Sequence, residues 1–135
     1  MTYADTVAYL EAQALGVGAA SFWHGPQTNQ DINYAEPFPQ VDLYLLPAPL
    51  VGPNVVYQVN MSFNALDQHE NGGPDTLGLQ GAMDVLSQQF IAALREDEQF
   101  DVSERVERAP QYRKGARVAT GFFISFTLTA RAAVC

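Results

Sequence analysis

Cysteine is nearly missing from this chain. The one example, Cys135, is its last residue, so no disulfide closes within the sequence and no Cys-rich zinc module is possible. Histidine is scarce too, with only His24 and His69. No apolar run approaches the roughly 18 residues of a membrane span. The longest candidate, residues 121–128, is interrupted by Ser125 and Thr127. The opening Met1-Thr2-Tyr3-Ala4-Asp5 has no basic stretch of the kind that begins a secretory signal. The expectation is a soluble protein without a membrane partner, kept in a reducing cytosol or assembled there into something larger.

Positive charge is the most uneven shortage. Seven Lys and Arg stand against fifteen Asp and Glu, a net charge of −8. A surface this acidic is unsuited to coating a nucleic-acid backbone, which needs Lys and Arg. All seven bases lie at or after position 95: Arg95, Arg105, Arg108, Arg113, Lys114, Arg117 and Arg131. Residues 1–94 hold nine acids and no base. Two readings stand side by side. One is compositional chance. The other is a subunit with an acidic side and a more basic side, able to stack head-to-tail on copies of itself and, if the contact closes, to form a ring.

What is present makes one folded domain over residues 1–135. Apolar residues are 47% of the chain, enough for a core and too many for a disordered segment. Thr2 with Asp5 three residues on resembles a capping box, and Tyr3, Val7, Leu10 and Ala14 recur at helical spacing. Gly16 and Gly18 supply the stop. Residues 20–23 read as a short strand and 24–40 as a long loop, where Pro37 and Pro39 bracket Phe38. Residues 41–46 read as a strand, and the prolines from 47 to 53 as a turn. Val55, Tyr57, Val59, Met61 and Phe63 alternate with Val56, Gln58, Asn60, Ser62 and Asn64. That predicts a strand with one packed face and one wet or channel-facing polar face. A loop over 67–75 leads, with Asp75 or Thr76 as cap, to a helix whose stripe is Leu79, Met83, Leu86, Phe90 and Leu94. Two strands follow, at about 100–107 and 116–129, joined by a polar connection from Pro110 to Gly115. The expected fold is α+β: a mainly antiparallel sheet of about four to five strands with two helices packed on one face.

Catalytic signatures do not emerge. Asp67-Gln68-His69-Glu70 has metal-compatible atoms without the spacing that fixes their geometry. No G-x-S-x-G elbow occurs, and Gly16-Val17-Gly18 lacks the Lys of a phosphate loop. Asp97 and Glu98 sit in a charge run where water solvates them. The expectation is a chain that is not an enzyme and holds no cofactor or metal. Arg105, Arg108, Arg113, Lys114 and Arg117 cluster around one strand–turn–strand. Three readings fit them: a contact with an acidic neighbour, a solvated turn, or a phosphate contact.

The strands Gln40-Val41-Asp42-Leu43-Tyr44-Leu45 and 55–63, the helix of 83–94 and the closing segment of 119–128 follow the order helix, strands, helix, strands. In that order the chain resembles the tail terminator, or tail-completion, proteins of tailed bacteriophages and prophages. The resemblance implies a structural virion protein, assembled in the host cytoplasm. It implies a homohexameric ring that caps the tail tube protein and meets the neck or connector protein. It makes Phe38 and the five bases of the cluster candidates for the subunit interface. It makes either the loop acids Asp67, Glu70 and Asp75 or the helix-end acids Glu96, Asp97 and Glu98 candidates for a lumen wall past which DNA slides without specific binding, and the sequence does not choose between the two sets. The alternatives are a head–tail connector or tube-like protein of a phage or contractile injection system, and a small-molecule-binding α+β domain or enzyme.

Overall fold

The computed structural model describes residues 2–25, 37–46, 49–66, 74–114 and 119–131. In chain order these form α1 (Tyr3–Val17), β1 (Ser21–His24), β2 (Gln40–Leu46), β3 (Leu50–Val51), β4 (Asn54–Leu66), α2 (Pro74–Glu96), β5 (Phe100–Val102), β6 (Glu107–Lys114) and β7 (Ala119–Arg131). The class is α+β, with two helices and a mostly antiparallel sheet. The sheet has seven strands rather than four to five.

Local chemistry accounts for the first helix. Thr2 Oγ1 accepts from the Asp5 amide at 3.1 Å, and the Asp5 carboxylate accepts from the Thr2 amide at 3.0 Å. Both halves of the capping box are therefore made, satisfying donors that the first turn cannot pair internally. Gly18 ends the helix at φ 125°, a backbone that side-chain-bearing residues rarely adopt. Leu10 and Ala14 of the expected stripe are buried, whereas Tyr3 is exposed at the helix start.

The two longest strands form the spine. β4 and β7 pair antiparallel from Asn54↔Arg131 to Leu66↔Ala119. Period-two alternation puts Tyr57, Val59, Met61 and Phe63 on one face beside Leu128, Phe126, Ile124 and Phe122. β2 adds Val41, Leu43 and Leu45 to the same layer. α2 seals it, with the Phe90 ring meeting Phe63 edge-to-face at 5.5 Å. Each such fully buried side chain stabilises the fold by about 1.5–3 kcal/mol. Gln80 of α2 adds a polar tie to the sheet, donating to Thr120 Oγ1 and the Gln111 carbonyl.

Three departures from the expected elements have local causes. The proline-rich turn contains β3, two residues long, paired with the start of β4 around Gly52 at φ 60°. α2 begins at Pro74, ahead of the expected cap at Asp75 or Thr76, because proline is preorganised for the first helical position. The strand expected over 100–107 breaks at Ser103. There the Thr127 carbonyl accepts from the Ser103 amide, and Ser103 Oγ accepts from the Thr127 amide. The chain resumes as β6 and carries Pro110 inside a strand instead of a connection. Among the described strands β6 pairs with β7 alone, and an edge strand tolerates a residue without an N–H.

The sheet order is β1-β2-β4-β7-β5, with β3 also on β4 and β6 also on β7. Among the strand pairs described, β1–β2 is parallel and the others antiparallel. One consequence matters for function. Every strand from the base-free part of the sequence lies on one side of the β4–β7 seam, and every strand from the base-bearing part lies on the other.

Candidate assembly surfaces

The charge split along the chain thus becomes a split across the sheet. On the basic side, Arg105 pairs with Glu107 at 2.6 Å, and both side chains are largely exposed. Water and salt screen such a pair to little net value. Arg108 is used differently. It leaves β6 to pair with Asp84 of α2 and lies 5.0 Å over the Phe122 ring. This half-buried contact ties the helix to the sheet edge. Arg95, near the end of α2, donates to the Ser103 and Glu104 carbonyls at 2.9 and 3.1 Å. Those partners are neutral carbonyl groups.

The other interface candidates are scattered. Arg113 and Lys114 end β6, with side chains outside the described residues, as is all of Arg117. Phe38 lies half-buried just before β2. The neighbouring Pro39 carbonyl accepts from the Ala20 and Ser21 amides and anchors the start of β1.

The lumen candidates also divide. Asp67 and Glu70 lie outside the described residues, and Asp75 falls in the first turn of α2 with its side chain outside them. Glu96, Asp97 and Glu98 follow one another at the end of α2, yet they do different things. Asp97 accepts from the Tyr9 hydroxyl at 2.9 Å and from the Gln99 amide at 3.0 Å. Tyr9 stacks on Phe100 with centroids 4.2 Å apart. Burial, and then the Asp97 contact, push the Tyr9 phenol well above its usual range. Asp97 is therefore a clasp between α1 and the β5 side. Glu96 and Glu98 remain exposed, and Glu98 joins Asp101 beside a groove of about 550 Å³ with Asn54 and Phe100.

Sequence reasoning missed a buried polar row. The helix-free face of β4 is expected to be wet or channel-facing along its length. Gln58 is exposed there, but Asp42 is 2% and Asn64 0% exposed, and Gln40 and Ser62 are buried with them. Asn64 Nδ2 donates to Asp42 Oδ2 at 3.2 Å. Asn64 Oδ1 has no hydrogen-bond partner among the described residues. Gly121 lies opposite Asn64, and a Cβ there would overlap the Phe63 carbonyl oxygen. The clue in the sequence was Asp42 within an apolar run, since a buried carboxylate needs partners.

A second groove, of about 590 Å³, runs along the side of α2 that faces β6. Its apolar lining is Ile91, Val106 and Ile124, and its polar margin includes Arg95 and Arg108. Among the described residues, no group of three or more His, Cys, Asp or Glu comes together as a metal site would require. No helix among them is long and apolar enough to cross a membrane. No family model matches the chain, and no curated protein matches it.

Proposed function

We propose that this chain is a structural ring subunit of a phage tail, a tail terminator that caps the tail tube and joins it to the neck. The observation carrying the reading is the sheet order, which puts the base-free strands on one side of the β4–β7 seam and the base-bearing strands on the other. The margins differ in charge: α1 on one side carries Asp5 and Glu11 and no base, while β6 on the other carries Arg108 beside Glu107. Margins that differ favour head-to-tail contacts, and such contacts close into rings when the rotation per subunit allows. Exposed apolar groups support it. Trp23 on β1 and Leu50 and Val51 on β3 stand open to solvent, as surfaces awaiting a partner do. The mechanism is assembly: the bound ring offers tube subunits no further docking face. Exposed acids such as Glu96 and Glu98 then suit a wall that repels passing DNA.

Light scattering on the purified protein, followed by electron microscopy with its tail tube, tests this. A closed ring, a hexamer by the resemblance, seated at the end of the tube is expected. A monomer at every concentration that never joins a particle would overturn it.

A further inference from the structure

The helix layer is one seat short. Five strand positions span about 19 Å between outer strand axes, at about 4.8 Å per strand. Packed helices sit about 8–10 Å apart, so a sheet this wide seats about three. The described residues supply two. α1 takes the β1 side next to α2, and α2 lies over β4 and β7. The third seat, between α2 and β6, is the groove whose open apolar groups are the exposed Ala92 and the half-buried Val106, above the buried Ile91 and Ile124.

We propose that α1 of a second copy fills this seat. This rests on the assembly reading and names the contact that builds it. The solvent face of α1 carries Ala4, Ala8 and Ala12, small enough for close helix approach. Leu15, 44% exposed, is an apolar anchor on the same arc. Charge selects the partner. α1 carries Asp5 and Glu11 and no base. Asp5 is engaged in the capping box, which leaves Glu11 on the outer arc. The groove is lined by two bases, Arg95 and Arg108, and one acid, Glu104, and Arg95 binds only carbonyl oxygens among its described partners. Leu15 and the alanines meet Ala92 and Val106 while Glu11 reaches Arg95. Stripe and groove lie at opposite margins of one helix layer, so every copy offers both and the contact repeats head-to-tail.

Glu11→Arg and Arg95→Glu test the pairing, with self-association read by sedimentation and folding checked by far-UV circular dichroism. Each single variant weakens association about tenfold, and the double variant recovers to within about threefold of the parent. A second test leaves charge alone. In a Cys135→Ser background, Ala12→Cys and Ala92→Cys together form a disulfide between copies under mild oxidation, giving dimers and higher species on a non-reducing gel. An oligomer unaffected by either reversal and forming no cross-link overturns this contact and leaves the assembly reading standing. A parent chain that is monomeric throughout removes both.

Discussion

The two sides of the β4–β7 seam are finished to different degrees. On its helix face the β1–β2 side is closed: α1 lies over it, and Tyr3 donates to the Leu45 carbonyl at 2.7 Å while packing against Tyr57. The β5–β6 side is open. Its strands are short or bulged, Arg108 and Asp84 bridge it to α2, and beyond them runs an unfilled groove. Apolar burial makes the first side, and ionic contacts trim the second. The difference teaches where stability ends and association begins, because a side held by screened charges, with Ala92 exposed and Val106 half-buried at its groove, is the one free to take a partner.

Substitutions at the seam sharpen the contrast most, since both sides depend on it. Phe90→Ala empties a fully buried site against Phe63 and is expected to cost about 3–5 kcal/mol in urea unfolding. Gly121→Ala drives a methyl into the Phe63 carbonyl between the two central strands, and a loss of about 1–3 kcal/mol is expected by the same measurement. Tyr9→Phe cuts the clasp between the sides and is expected to cost about 1 kcal/mol near neutral pH. It also carries a pH signature. The folded phenol value is raised, so the folded state holds the proton longer than the unfolded chain. That contribution is complete below the unfolded value of about 10 and is lost as pH rises beyond it. The urea midpoint of the parent therefore falls more steeply above that pH than the midpoint of the variant. The smallest effect is expected on the open side. Asp84→Asn loses about 0.5–1 kcal/mol at low salt and less at high salt. A larger, salt-independent loss would show that the open side is not ionically trimmed and would break the comparison.

The elements that could be read from the sequence are those whose signal is local. The Thr2–Asp5 capping box, the alternation of residues 55–64, the stripe from Leu79 to Leu94 and the closing strand all form as their spacing demands. What escaped was set by position in the sheet. Pro110 reads as a breaker until β6 is known to be an edge, and two-residue β3 is too short for any period to show. Alternation tells which face Asn64 occupies but not how deep that face lies. The surfaces were less legible still. Arg108 belongs to the basic cluster by sequence, yet its partner Asp84 is brought to it by α2 packing across β7. The charge asymmetry was plain in the sequence, but its meaning came from the strand order, which could have mixed the two parts and keeps them apart.

The proline in β6 has one more effect. A bare sheet margin invites another chain to zip onto it, and uncontrolled zipping yields fibres. Pro110 interrupts the run of amides there, and Glu107 and Arg108 place charge beside it. Neighbours must then meet through side chains whose shapes limit how many can fit, which favours particles of counted size over open-ended growth.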